Sequence, residues 1–185
     1  EKALPIFHEA EMVLKEAHSY NRMGWYHLTY GRFRESQVLF SKAINLFEQE
    51  VGITHSFTLG AMSNLSYAYN NMGETDSALE LVLDCIQISR DHPETKPEFV
   101  VKFYFTAGGI LLYQGKIMLA DSLYREGERI ALSHFGEGHP GILPALTGLG
   151  ILYSDVGMTK EAIKYYEKAL EIHRQNQIQM GVGGL

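Results

Sequence analysis

A chain of 185 residues with a formal net charge of -6 and a single cysteine is long enough to bury a sizeable core, yet its composition excludes several functions. A surface that is negative on average, with no run of lysine or arginine, repels polyanions, so neither nucleic acid nor an anionic membrane is expected as a partner. One cysteine rules out an internal disulfide, no stretch approaches the ~20 continuous apolar residues of a membrane span, and the N-terminus lacks a signal peptide's apolar core, which leads to the expectation of a cytoplasmic location.

Apolar spacings of three, four and seven predict about nine helices, over 2–16, 18–30, 33–49, 56–72, 75–90, 97–114, 117–134, 140–156 and 159–177. Pro5, Pro97 and Pro140 each fit a first helical turn, where no backbone donor is lost, and Pro144 falls in the opening turn of its helix. Gly31, Gly73, Gly115 and Gly157 recur every 42 residues and separate the two helices of successive pairs. Other positions repeat in phase with them. Small residues stand at Gly24, Ser66, Gly108 and Gly150, at Ser36, Ala78, Ala120 and Ala162, and at Ala43, Cys85, Gly127 and Ala169. A bulkier residue lies between the last two sets, at Phe40, Val82, Tyr124 and Tyr166. Ile44, Ile86 and Leu170 fill the next apolar position, and only Glu128 breaks that series. Small residues at fixed places let two helix backbones approach closely, while bulky ones fill the grooves beside them.

This pattern resembles the tetratricopeptide repeat, with the fourth unit matching best through Leu149, Gly150, Tyr153, Gly157, Ala162, Tyr166, Ala169 and Leu170. The 42-residue period is longer than the usual ~34 and is similar to the variant in kinesin light chains and in bacterial arrays fused to caspase-like or signalling domains. Gly52-Ile53-Thr54-His55 and Gly136-Glu137-Gly138-His139 correspond to the Gly-x-x-His segment of that variant. The resemblance implies an all-α fold, a right-handed solenoid of antiparallel helix pairs. It is expected as a single array over 1–180, with a half repeat at 1–17, repeats at 18–55, 56–96, 97–138 and 139–177, and a flexible tail at 178–185, where glycines accumulate. Ala3, Phe7 and Ala10 carry the half repeat. At the other end Ile163, Tyr166 and Leu170 lie on the packing side of the last helix with nothing after it to cover them, which leads to the expectation of a larger chain or assembly.

Catalytic and metal constellations are not found in the sequence. The eight histidines are dispersed at 8, 18, 27, 55, 92, 134, 139 and 173, with no i, i+4 pair around a glutamate and no second cysteine for a zinc knuckle. His55 and His139 share one repeat position, which Pro97 takes in the third unit, so they are expected to shape a turn. Cys85 falls mid-helix at a small packing position and reads as a buried thiol in place of alanine. Gly108-Gly109 lies inside a predicted helix and is no phosphate loop. Neither enzyme activity nor a cofactor is expected.

In the family the first helix of each pair lines a concave face. By register, the resemblance implies a groove of His18, Asn21, Trp25, Leu28 and Thr29 in the first repeat and Ser63, Tyr67, Asn70 and Asn71 in the second. The third would add Lys102, Phe105, Gly109, Leu112 and Tyr113, and the fourth Thr147, Ile151, Ser154 and Asp155. Aromatic rings supply apolar area at little rotamer cost, and asparagines can both donate to and accept from a peptide backbone. The paired lysines and arginine with which chaperone-binding relatives clamp a terminal carboxylate are missing, with only Lys102 nearby. The expected function is therefore a non-catalytic module that binds a protein or peptide segment. Two alternatives stay open: a regulatory arm of a larger enzyme, such as a caspase-like protease or signalling ATPase, and a peptide-pheromone receptor domain of a regulator.

Overall fold

The computed structural model describes the backbone of residues 3–182 and the side chains of 10–176. These residues form eight α-helices: α1 Ala3–Thr29, α2 Phe33–Val51, α3 Ser56–Asn71, α4 Thr75–Asp91, α5 Pro97–Tyr113, α6 Ile117–Phe135, α7 Leu143–Asp155 and α8 Thr159–Val182. A 3-10 turn, Pro140–Ile142, leads into α7. The chain divides into two compact units, Glu1–Phe99 and Val100–Leu185. In the first, α1 packs on α2, α2 on α3 and α3 on α4, and α1 also touches α3. In the second, α6 packs on α7 and α7 on α8.

Each helix pair turns at its glycine in the same way. Gly31, Gly73, Gly115 and Gly157 have φ of 72°, 83°, 72° and 76°, in the left-handed region that a side chain disfavours. Two hydrogen bonds close each helix end. In the first pair the Gly31 amide donates to the Leu28 carbonyl at 3.1 Å and the Arg32 amide to the His27 carbonyl at 2.9 Å, which is the Schellman arrangement. The connection between pairs uses a histidine. Nδ1 of His55 accepts from the Phe57 amide at 3.2 Å, and Nδ1 of His139 from the Gly141 amide at 3.0 Å, so the turn residues expected at these positions cap α3 and the 3-10 turn respectively.

The small and bulky series meet as complementary surfaces. A Cβ built on Gly24 would lie 2.6 Å from the Phe40 ring, one on Gly108 2.6 Å from Tyr124, and one on Gly150 2.6 Å from Tyr166. The glycine therefore lets the ring of the second helix rest on the backbone of the first. In the second repeat Ser66 takes the glycine's place, and its hydroxyl donates to the Ala78 carbonyl at 2.7 Å. Around these contacts lie Ala17, Ala43, Phe47 and Ala61, then Leu28, Phe40, Leu65 and Ala68, in the first unit. In the second, Val101, Ala131, Ile142, Ala145, Leu146 and Ile172 form the core. Cys85 is fully enclosed, with Sγ 3.7 Å from the Leu59 carbonyl.

Three boundaries differ from expectation. The helices expected at 2–16 and 18–30 are one helix, α1. No glycine or proline interrupts Lys15–Ser19, the Ser19 hydroxyl donates to the Lys15 carbonyl at 2.8 Å, and Lys15 pairs with Glu11 at 2.7 Å, so the expected break has nothing to make it. The half-repeat side chains Ala3 and Phe7 lie outside the described ones. The helix expected from 140 begins as a 3-10 turn because Pro144 has no N–H to offer the Pro140 carbonyl; the Leu143 amide bonds it instead. At the far end α8 runs to Val182, past the start of the expected tail, while 183–185 lie outside the described residues. Ile163, Tyr166 and Leu170 on α8 are exposed, by 48%, 40% and 47%.

Candidate functional site

In the first unit the candidate residues come from α1 and α3. Trp25 and Tyr67 hold the same register position in successive repeats, and their rings lie 6.1 Å apart at 33°. Both are open to solvent, by 36% and 42%. The inner edge of Trp25 is seated against Phe40, ring to ring at 6.3 Å and 80°. Each ring thus has one side committed to packing and another available. Beyond Tyr67, Asn71 is exposed and its Nδ2 donates to the Tyr67 carbonyl at 2.7 Å. Asn70 is half-buried, and its Oδ1 is shielded from solvent without a donor.

The other residues of this unit serve the interior. His18 is half-buried between Phe47 and Phe57, edge-on to both at 4.9 and 4.6 Å. Asn21 accepts from Asn64 Nδ2 at 2.9 Å, tying α1 to α3. Ser63 is fully buried and Leu28 is 6% exposed, so neither faces a groove, contrary to the register expectation. Leu28 packs with Phe40, Leu65 and Ala68, and α3, which carries Ser63, touches α1, α2 and α4. It is enclosed on every side from Thr58 to Ser66, and only its last turns emerge.

The second unit contributes Lys102, Phe105 and Tyr113 from α5 and Ile151, Ser154 and Asp155 from α7. Phe105 is half-buried with its ring 6.0 Å from Tyr124, so it is chiefly a packing residue. Lys102 is half-buried. Tyr113 is 72% exposed and Ile151 37%, and Ser154 and Asp155 are exposed. Tyr124, which the register treats as core, reaches toward the same side. A Cβ on Gly109 would meet its hydroxyl at 3.5 Å. Burial, and behind it the Asp155 carboxylate, pushes the phenol up to about 12.

One polar network was not anticipated. Arg125 Nε donates to Asp121 Oδ2 at 2.8 Å, its Nη2 donates to the Tyr153 hydroxyl, and that hydroxyl donates to Asp121 Oδ1 at 3.2 Å. Burial first, then Asp121, holds the Tyr153 phenol above its ordinary value. Tyr153 stacks on Tyr165 at 5.5 Å and 16°, and Lys168 lies 5.8 Å over the Tyr165 ring. The i, i+4 spacing of Asp121 and Arg125 was readable in the sequence; their tyrosine partner was not. Among the described residues no three His, Cys, Asp or Glu side chains gather so as to hold a metal ion, and no described helix is long and apolar enough to cross a membrane.

Family profiles described as tetratricopeptide repeat match residues 58–94 and 103–175, between them more than half of the chain. A curated relative, a clustered mitochondria protein homolog of Meyerozyma guilliermondii, is 26% identical over 139 residues. That match takes in 72% of this chain and 10% of the relative, so the chain spans about a tenth of the curated protein it resembles. Among solved structures, BtubC (BKLC) from P. vanneervenii superposes with a TM-score of 0.65 at 20% identity, covering 91% of this chain and 73% of that one. A plasmid Rap conjugation gene regulator in complex with a Phr peptide superposes with a TM-score of 0.74 at 19% identity, covering 89% and 43%. At these identities the likeness is one of fold.

Proposed function

The chain belongs to the tetratricopeptide repeat family, and from that premise we propose that it is a non-catalytic interaction module that binds an extended or helical peptide segment. The carrying observation is the pair Trp25 and Tyr67, two half-open rings 6.1 Å apart on α1 and α3 with Asn71 one turn beyond. A rigid aromatic pair fixed from behind by Phe40 can cover an apolar side chain without paying much side-chain entropy. Asn70 and Asn71 would then engage the peptide's backbone, with Asn70's amide rotating to bring its unpaired acceptor to a ligand N–H. Peptide binding by the Rap regulator of the same fold supports this reading by analogy of architecture. We also read the unit as the longer, 42-residue variant of the repeat; α2, α4, α6 and α8 begin at 33, 75, 117 and 159.

In the second unit Tyr113, Ile151, Ser154 and Asp155 are the residues proposed to meet ligand, with Lys102 and Phe105 behind them. His18 and Asn21 support the strip from within. A peptide-display selection against the chain tests the proposal. Selected sequences should lose about 1 to 4 kcal/mol of affinity for Trp25→Ala or Tyr67→Ala, with melting temperature little changed in Tyr67→Ala. Selected peptides that bind both variants as tightly as the parent would remove the strip from consideration.

A further inference from the structure

Glu128 is the one member of its repeat position that is not apolar. Its counterpart Ile86 is 3% exposed, packed into the core, and Ile44 is half-buried. In the second unit Glu128 lines an open cavity of about 500 Å3, whose other lining residues come from α6, the loop before the 3-10 turn, that turn, α7 and α8. Its apolar lining is the core residues Ile142, Leu146 and Ile172 together with the partly exposed Leu132. Four carboxylates line it, Glu128, Glu137, Glu167 and Glu171, against one ammonium, that of Lys168. Lys168 lies over the Tyr165 ring at 5.8 Å, and Glu171 accepts from the Gln175 amide at 2.7 Å. The ion pairs seen among the described residues, Lys15–Glu11, His92–Glu94, Arg125–Asp121 and Arg129–Glu126, use none of the four glutamates.

We propose that this cavity is a second docking site, separate from the Trp25–Tyr67 strip, for a basic amphipathic peptide segment in which a lysine or arginine is flanked by aliphatic residues. Apolar lining residues select aliphatic side chains, and acidic ones select a cation beside them. A long basic side chain satisfies both demands at once, since its methylene stem covers apolar surface while its head meets the carboxylates. Glu128 sets the specificity. An isoleucine there would leave the lining apolar at that position and remove one of its four carboxylates. Among the described lysines and arginines only Lys168 lines the cavity, against four carboxylates, and this excess of negative charge favours an external cation.

The probe is a designed helix of leucine and lysine alone, titrated into the full chain against its leucine–glutamate counterpart, with the methyl NMR signals of Ile142, Ile172, Leu132 and Leu146 as readout. The basic helix is expected to shift these methyls while Trp25 emission stays unchanged, and the acidic helix is expected to shift none. Glu128→Gln, which keeps the shape, should weaken binding roughly three- to tenfold. Glu128→Ile should weaken it further and raise the melting temperature. Glu80→Gln, removing the same charge on exposed α4 surface, should leave affinity unchanged. Equal losses from Glu80→Gln and Glu128→Gln would overturn the site in favour of diffuse charge attraction. Methyls that do not shift, or spermine alone giving the same shifts with the same dependence on Glu128, would overturn the peptide assignment.

Discussion

Replacing Gly108 with alanine tests the packing that underlies the array. The Tyr124 ring is held between two glycine backbones. A Cβ on Gly108 would lie 2.6, 2.8 and 2.9 Å from its Cε1, Cδ1 and Cζ, and one on Gly148 would lie 2.5 and 2.6 Å from Cε1 and Cδ1. The ring cannot retreat from one helix without pressing on the other. Overpacking of this kind costs about 1 to 3 kcal/mol, while exchanging glycine for alanine in a helix returns about 1 kcal/mol. The net expectation for Gly108→Ala is a loss of up to about 2 kcal/mol, which in a chain of this size lowers the melting temperature by up to about 8 °C. Gly109 is the internal control. Its Cβ would meet only the Tyr124 hydroxyl, at 3.5 Å, an ordinary contact, so Gly109→Ala should be neutral or stabilising by up to about 1 kcal/mol. Paired thermal melts followed by circular dichroism provide the comparison. If Gly108→Ala melts at or above the parent, or together with Gly109→Ala, the ring does not rest on that backbone and the register is wrong.

Ala120 and Ala162 are 0% and 3% exposed, so Ala120→Phe and Ala162→Phe should destabilise by about 1 to 3 kcal/mol or more, with serine far milder in the same melts. Cys85→Ala should fold and bind normally with a modest packing loss, and a thiol probe should label native Cys85 slowly; rapid labelling would contradict its burial. Tyr124, with its phenol raised from 10.0 to about 12, favours the neutral form in the folded state. Its contribution is complete below pH 10 and is lost as pH rises from 10 through 12. Alkaline melts should therefore fall across that window, and Tyr124→Phe should flatten the fall; an unaltered profile would place the effect elsewhere.

Much of the architecture was legible because repetition makes each position a repeated observation. The glycines at 31, 73, 115 and 157 and the small-to-bulky pairs such as Gly24 with Phe40 are local and periodic, and the structure uses them as their spacing indicates. The uninterrupted α1 was misread because the repeat template imposed a boundary near residue 17 where the local sequence supplies none. At the site, Trp25 and Tyr67 share a register and their rings lie side by side, but exposure depends on what surrounds each helix. Ser63 shares a register with Asn21 yet is sealed because α3 has a neighbour on three sides. The Arg125–Tyr153 link joins residues on different helices, α6 and α7, and pairings at that separation leave no periodic trace. Glu128 was visible as a break in a series; the cavity beside it needed α8 and the loop before α7 in place.

Trp25 is the chain's single tryptophan, so its emission reports on the proposed strip alone. Fluorescence titration with a display-selected peptide is therefore the most direct measurement of the central claim. The account predicts a saturable change in Trp25 emission whose midpoint matches calorimetric binding and moves to higher peptide concentration in Tyr67→Ala. A peptide that binds by calorimetry while Trp25 emission stays flat, with affinity intact in Tyr67→Ala, would contradict it.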